Sequence, residues 1–448
     1  MEVGVPDNRY DLLVIGAGMA GCTVGVRAAQ AGLRVCTVEL SGDIGGSARH
    51  AGYVWSMPSH EAMDEHNPGG DDELRRHLVD NFPGAVEWLR EFGADVGERQ
   101  PILPYGAGYR FDTNHYLELC RKKLTENGNE LLLNTETQRL IVEDGEVVGA
   151  VVASADGATH EIRAAFTVIA TGGFQADPEL RARHLHPAAR DIELRSNPHS
   201  AGGGHRLARE VGAAFGKENA GFYGHLIPSG IKLGEDDFVE LALYYSEHCL
   251  LFNLENKRFV DETLGDHLNT IELLEQPEAR GLLVADARVY RDWMTAPYVE
   301  GAIAPDKFGI TAKRGGRVGM AESLEEFEYL PEEWGYDGKA IAAGIAEYNE
   351  AIRENRATPG HTLDPLPLDE PPYYIIETVP AVTFPFYGIL IDNRARVLDE
   401  AGRRIPGLLA AGSDTGGLWY RAYGGGLATA LTFGLTAADT ASAALSVR

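Results

Sequence analysis

Apolar residues along the chain recur in two periods, and the changes between them mark out the elements. Leu12-Leu-Val-Ile15 is a continuous apolar run of the kind needed by a strand buried on both faces. A stretch of helical spacing follows and stops at Gly32, and a second run, Val35-Cys-Thr-Val38, comes after it. Residues 131–133 read as a short strand, and residues 139–153 alternate about an Asp144-Gly145 turn, which predicts a small β-meander. Phe166-Thr-Val-Ile-Ala170 is apolar again and halts at Gly172-Gly173, while Ser200-Ala-Gly-Gly-Gly204 opens an amphipathic helix through Arg209. Between about Phe222 and Gly360 the texture changes to charged and aromatic residues with irregular Gly and Pro, and helical spacing covers 321–329 and 338–355. A proline-rich stretch at 365–372 leads back to Gly407-Leu-Leu-Ala-Ala411 and to helical spacing over 427–442. This order predicts an α/β fold of Rossmann type, three-layered, with a central parallel sheet and a β-meander, interrupted by an α+β insertion. The implied boundaries are 1–221, 222–361 and 362–448.

The first strand runs into Gly16-Ala-Gly18-Met-Ala20-Gly21, and the second ends in Glu39, 23 residues after Gly16. In such a unit the first glycine permits the tight turn, the second lets backbone approach a pyrophosphate, and the third lets helix pack on strand. The helix amides then face the phosphates, and the acid holds ribose hydroxyls. No second glycine motif of this kind follows an apolar run, so a separate nicotinamide nucleotide site is not expected. Gly42-Asp-Ile-Gly45-Gly46-Ser47 is a further Gly-rich turn, placed to return to the same cofactor.

Composition narrows the partners. The 448 residues carry 40 Lys and Arg against 67 Asp and Glu, a net charge of −27, which excludes nucleic acid and anionic membrane as natural partners. Cys22, Cys36, Cys120 and Cys249 form no CxxC, haem-attachment or iron–sulfur spacing, so no metal is expected and electrons must leave to an external acceptor: oxygen, a quinone or a carrier protein. The first seven residues lack a leader pattern and no run of 18 apolar residues follows, so the expectation is a cytoplasmic protein with no membrane insertion.

Four separated elements, Gly16 to Glu39, Gly45-Gly46-Ser47, Ala170-Thr-Gly-Gly173 and Pro406-Gly-Leu-Leu-Ala-Ala-Gly412, resemble the FAD-binding fold of the fumarate reductase and 3-ketosteroid dehydrogenase superfamily. Asn253-Leu-Glu-Asn-Lys257-Arg-Phe-Val-Asp-Glu262 is similar to that superfamily's cap-domain signature. The resemblance implies FAD under a capping domain. It implies cofactor contacts at Gly16, Gly18, Ala20, Gly21, Glu39, Gly45, Gly46, Ser47, Thr171, Gly172, Gly412, Asp414, Gly425, Gly426 and Leu427. Gly46 stands in the slot where flavinylated members carry histidine, which implies noncovalent FAD; His50 lies out of register and reads as a wall or core residue.

Gly417-Leu-Trp419-Tyr420-Arg421-Ala-Tyr423 sits just ahead of Gly424-Gly425-Gly426 and the last helix. By resemblance, Arg421 falls on the arginine with which fumarate reductases bind a substrate carboxylate, Tyr420 on the enolising tyrosine of ketosteroid dehydrogenases, and Gly424 on the glycine whose amide assists it. The competing structural roles are packing of Tyr420 and Tyr423 on the flavin rim and pairing of Arg421 with Asp414 or another acid. Eight residues past Arg258, both families' proton-transfer residues are absent, and Asp266 and His267 become the candidate bases, with a solvated loop as the alternative. Phe384 replaces a substrate-binding histidine, and with Tyr387, Tyr423, Tyr53 and Trp55 it suits a ring or other partly apolar substrate. His225 either retains a second substrate histidine or belongs to the insertion's core, and Tyr244 and Tyr245 stand where fumarate reductases run a Glu and Arg proton relay.

The implied activity is introduction of a C=C bond α,β to the carbonyl of a small cyclic ketone or keto acid. The alternatives are a flavin ene-reductase of an enoate or enone, and a non-enzymatic flavin-binding redox sensor.

Overall fold

The computed structural model describes residues 9–103, 105–235, 237–297 and 305–446; residues 1–7, read above for a leader, lie outside them. The chain divides into two units. The first comprises 1–180, 196–221 and 384–448, and the second 181–195 and 222–383.

An eight-stranded sheet organises the first unit, in the order Arg396–Leu398, Arg404–Ala410, Thr159–Ile169, Arg9–Ile15, Val35–Val38, Glu130–Leu132. Its middle is parallel, with Leu12 opposite both Val35 and Phe166, and Leu409 opposite Val168. Leu12, Leu13 and Val14 are wholly buried, as strands covered on both faces must be, and each contributes about 1.5–3 kcal/mol. The expected meander is present: Thr135–Glu143 and Glu146–Ser154 pair antiparallel about Asp144 and Gly145, both at positive φ, and the second strand pairs with Thr159–Ile169. Helix Met19–Gln30 lies close to helix Gly426–Ser446, because Gly434 offers no side chain where a Cβ would meet Thr23 Cβ at 3.0 Å and Ala20 O at 3.1 Å. A smaller antiparallel sheet carries Tyr53–Ser56 beside Gly106–Phe111 and Val96–Ile102.

The second unit is built on Tyr373–Pro385, a strand of 13 residues. It pairs antiparallel with Gly281–Ala285 and Val318–Ala321 and parallel with Glu193–Leu194. Phe222–Pro228 also pairs with it, and Leu250–Asn253 pairs with Gly281–Ala285. The sequence boundary at 361 therefore shifts: the proline-rich stretch leads into this unit's longest strand, and residues 181–195 join the unit through Glu193 and Leu194. Helix Gly338–Arg353 starts where predicted, with Asp337 Oδ1 accepting from the Lys339 and Ala340 amides. Residues 321–329 differ from expectation. Ala321 is claimed by pairing with Tyr373, and only a short 3₁₀ turn, Leu324–Tyr329, follows. The cap-signature residues make a buried ion pair, in which Arg258 donates to the fully buried Glu262 and to the Pro359 and Gly360 carbonyls.

Candidate functional site

In the first unit, the three glycines of the opening turn have separate physical roles. A Cβ on Gly16, at φ 101°, would meet Ala170 O at 2.2 Å, and one on Gly21 would meet Gly16 O at 1.9 Å. These two are demanded by the chain itself. A Cβ on Gly18 would meet only Gly45 O, at 3.9 Å, so that glycine keeps its backbone open for something else. The helix that begins after Gly18 has no side-chain cap and no acidic residue in its first turn, which leaves its amides and dipole available to an anion. Glu39 is fixed beside it, accepting from the Ala17 amide at 2.8 Å and the Ser41 amide at 2.9 Å.

The other predicted cofactor segments converge on this turn. Gly45 donates to Ala17 O at 2.7 Å, and Ser47 Oγ lies 2.7 Å from Ser196 Oγ while accepting from the Asn197 amide. Gly412, at φ 77°, could carry no Cβ without approaching Ala20 Cβ to 2.8 Å. Asp414 is buried and accepts from the amides of Thr171, Gly172 and Gly173 and from Thr171 Oγ1 at 2.9 Å. Burial pushes its carboxyl above the usual range, against the pull of those donors. It thereby locks the end of one sheet strand to the end of its neighbour. An open glycine at an uncapped helix start, an acid fixed nearby and a backbone-rich opposite wall fit the pyrophosphate and ribose of FAD.

At the chemical end, helix Gly426–Ser446 begins on glycines. Gly425 is at φ 98° and a Cβ there would lie 1.7 Å from Trp55 O. The Gly426 amide donates to the Tyr423 hydroxyl at 3.0 Å. Around Tyr423 stand Trp55, edge-on at 5.4 Å, Phe384 at 6.0 Å and Trp419 at 6.2 Å between ring centroids. Trp419 and Tyr105, which packs on Trp55 at 6.3 Å, were not singled out from the sequence. The Tyr420 ring lies beside Gly69, where a Cβ would meet Tyr420 Cδ1 at 2.4 Å, and Lys217 Nζ is 5.1 Å from the ring centroid. Its amide donates to the buried Asn67, whose own amide holds Leu418 O at 2.7 Å. Arg421 takes the left-handed conformation, φ 49°, with its N–H donating to Ala220 O at 2.8 Å. Tyr53 is half-buried on the strand that carries Trp55, and burial raises its phenol. Tyr387 does not join this group. It is buried and stacks on Phe215 at 5.7 Å, with Phe174 and His205 beside it.

The second unit holds its own polar cluster. Asp266 opens helix Asp266–Leu274, and it is buried rather than part of a solvated loop. Its Oδ2 makes a short hydrogen bond with His225 Nδ1, its Oδ1 accepts from the Leu226 amide at 3.2 Å, and Ser246 Oγ lies at 3.4 Å. Burial raises Asp266 to about 7, while Arg195 and Lys307 pull the other way. Burial, with the neighbouring His225 as the lesser cause, drives His267 down to about 3, so it is a weak base. His225 is driven well below its ordinary value by burial, Arg195 and Lys307. Arg195 donates to Tyr244 Oη at 3.2 Å and to Phe238 O at 2.7 Å, and Lys307 Nζ donates to Val239 O and Glu240 O. Tyr223, whose hydroxyl lies 2.8 Å from His225 Nε2, was missed. The available signal was the two-residue spacing of Tyr223 and His225 within strand Phe222–Pro228, which puts both on one face.

Among the described residues no group of three His, Cys, Asp or Glu side chains is placed to hold a metal, and no helix is long and apolar enough to cross a membrane. The chain is similar to known flavoproteins over nearly its whole length. It is 25% identical to the fumarate reductase (cytochrome) of Shewanella frigidimarina, over 98% of this chain and 78% of that protein. It is also 25% identical to the 4-oxocyclohexanecarboxylate 2-dehydrogenase of Sinomonas cyclohexanicum, over 95% of this chain and 91% of the relative. The solved 3-ketosteroid delta1-dehydrogenase from Sterolibacterium denitrificans shares the fold, with a TM-score of 0.79 at 19% identity over 98% and 100% of the two chains. The FAD binding domain family model matches residues 11–428. With the open glycine turn, the fixed acid and this match, the chain belongs to the FAD binding domain family and is an FAD-dependent oxidoreductase.

Proposed function

We propose that the protein introduces a C=C bond α,β to the carbonyl of a small cyclic ketone or keto acid, with a noncovalently held FAD. Bound FAD supplies the hydride acceptor. The observation that carries this reading is Arg421, a non-glycine residue held in left-handed backbone at a cost of about 1–2 kcal/mol, within the loop that supplies Tyr420, Tyr423 and Gly424. Strain of that kind persists only where the surroundings hold it, here by the Arg421 N–H bond to Ala220 O. A planar guanidinium suits a substrate carboxylate, and the neighbouring wall of Trp55, Phe384 and Tyr423 suits the apolar face of a ring. The Tyr420 phenol and the Gly424 amide are assigned to the carbonyl oxygen, where they stabilise the charge that develops as the α-proton leaves. Asp266, which burial raises to about 7, is kept as the candidate base. The similarity to 4-oxocyclohexanecarboxylate 2-dehydrogenase supports a cyclic keto acid. Glycine at position 46 supports a flavin without a covalent link.

The reverse reaction, saturation of an enoate or enone, is supported by the similarity to fumarate reductase and by the same arginine. Mixing the purified protein anaerobically with saturated cyclic keto acids, and separately its dithionite-reduced form with their unsaturated counterparts, tests both. Bleaching of the yellow colour by saturated keto acids supports the dehydrogenase. Recovery of colour only from unsaturated acids assigns the reductase, and no response to either rejects both.

A further inference from the structure

We propose that the turn Asn67-Pro68-Gly69-Gly70 is the device that aims Tyr420, with Asn67 as its positioning residue. The inference deepens the proposed function and rests on the role given there to the Tyr420 phenol. Every group it uses lies in the first unit. Residues 416–424 form neither helix nor strand, so this loop has no ladder of its own to fix it. Residues 67–71 hold its backbone instead. The Asp71 amide donates to Gly417 O at 2.8 Å, Asn67 Nδ2 donates to Leu418 O at 2.7 Å, and the Tyr420 amide donates to Asn67 Oδ1 at 3.2 Å. One carboxamide thus takes the carbonyl before Trp419 and the amide after it, the two bonds that the peptides of a neighbouring strand would make there. Such a double contact needs a donor and an acceptor on one planar group, as a side-chain amide has. Asn67 is wholly buried, so both bonds are shielded from water.

The support is itself fixed. The Asn67 amide donates to Met63 O at 3.0 Å at the end of helix His60–His66, and Asn67 O accepts from the Gly70 amide at 3.3 Å and from Arg75 Nη1 at 3.2 Å. Arg75 is buried and is paired in turn with Asp64 at 2.8 Å and Asp72 at 3.2 Å. The two glycines complete the fit. A Cβ on Gly70 would meet Leu418 O at 2.2 Å and Asn67 Nδ2 at 2.6 Å, and one on Gly69 would meet the Tyr420 ring at Cδ1, 2.4 Å away, and at Cγ, 3.0 Å away. Neither glycine has left-handed backbone, so the close approach, and not the turn, is what excludes a side chain. Asn67 therefore fixes the peptide from which the phenol springs, and Gly69 fixes where the ring rests. A donor to a developing oxyanion works only at hydrogen-bond distance, and a misplacement of about 1 Å can cost on the order of 100-fold in rate.

The test is a double-mutant cycle on the FAD-loaded enzyme, read as the anaerobic bleaching of the flavin by 3- and 4-oxocyclohexanecarboxylate, with the limiting rate and the half-saturating concentration measured separately. Asn67→Leu keeps the branched shape and removes both polar contacts. It should lower the limiting rate about tenfold or more, with half-saturation within about threefold of wild type and full flavin content. In a Tyr420→Phe background the same change should cost less than about twofold more, because no phenol is left to aim. Equal losses in the two backgrounds would show that Asn67 only supports the fold, and would overturn the inference while leaving the dehydrogenase reading intact. So would an Asn67→Leu rate within about threefold of wild type. Should Asn67→Leu not fold, Gly69→Ala, which removes no hydrogen bond and displaces the ring, decides by the same cycle and the same limits. A Tyr420→Phe enzyme that bleaches within about threefold of wild type, or a wild type that neither acid bleaches, sinks the assignment of Tyr420 to the carbonyl and the role of Asn67 with it.

Discussion

The Tyr423 hydroxyl accepts the amide hydrogen of Gly426, the first residue of the C-terminal helix, at 3.0 Å. A phenol three residues upstream thus caps the helix start and at the same time stands among Trp55, Phe384 and Trp419. Tyr423→Phe removes the acceptor but not the ring, so the expected loss of stability is about 0.5–1.5 kcal/mol, read by urea denaturation. Tyr420→Phe leaves this cap intact. If Tyr420 polarises the carbonyl, its variant should lose about 100-fold or more in kcat with no change in stability beyond about 0.5 kcal/mol. The opposite ordering of the two kcat values transfers the role to Tyr423.

The glycines of the opening turn separate folding from cofactor binding. Gly21→Ala places a Cβ 1.9 Å from Gly16 O and should yield little soluble protein. Gly18→Ala meets nothing closer than 3.9 Å within the chain. It should give a folded protein, with a circular dichroism spectrum like that of the wild type, that retains less than about a tenth of its flavin. A yellow Gly18→Ala protein with full FAD content would show that the pyrophosphate does not approach this residue.

Asp414 ties three amides and a hydroxyl of the Thr171–Gly173 turn to the end of the neighbouring strand. Asp414→Ala leaves these buried donors without an acceptor and should cost about 3 kcal/mol or more, measured by chemical denaturation of the flavin-free protein. Asp414→Asn keeps the shape but cannot accept from every donor, and should fall between.

Each buried titratable group of the second unit gives the stability profile a slope of definite sign. Asp266 rises in the fold from 3.8 to about 7, and Glu247 from 4.5 to about 7, both chiefly through burial. A raised carboxyl binds its proton in the folded chain where the unfolded chain has lost it, so the contribution of these two groups is full below about pH 4 and falls as pH rises towards 7, while His267, lowered from 6.5 to about 3, gives the opposite slope between those two values. Lys307, lowered from 10.5 to about 7, acts oppositely, and stability returns between about pH 7 and 10.5. Asp266→Asn should flatten the first limb by on the order of 2–4 kcal/mol, and Lys307→Met the second by a similar amount, each read as the melting temperature against pH.

Much of the first unit was legible because its signals are local. The positive φ of Gly16, the packing of Gly21 on Gly16 O and the Asp144-Gly145 turn are local backbone features, and apolar runs mark the strands that are covered on both faces. The second unit was harder. Residues 181–195 join it through the pairing of Glu193 and Leu194 with Ala381 and Val382 and through the hydrogen bonds of Arg195 to Phe238 and Tyr244, and no local pattern announces such contacts. Asp266 was named from its spacing after Arg258, but its imidazole partner lies 41 residues away and is fixed by the strand amide of Leu226. Tyr387 shows a contact the sequence does not signal. A phenol beside a glycine suggested a substrate wall, and the ring stacks on Phe215, a partner 172 positions earlier in the chain.

The strand Tyr373–Pro385 has a consequence for how the protein is made. Its partners Phe222–Pro228, Gly281–Ala285 and Val318–Ala321 leave the ribosome long before it does and expose their unpaired edges in the meantime. The strand Arg404–Ala410 and the Asp414 clamp are likewise needed by residues 159–173, which emerge more than two hundred residues earlier. Neither sheet is closed until the last fifth of the chain has been translated, so nascent chains stalled before residue 373 should be the ones that chaperones hold and proteases cut.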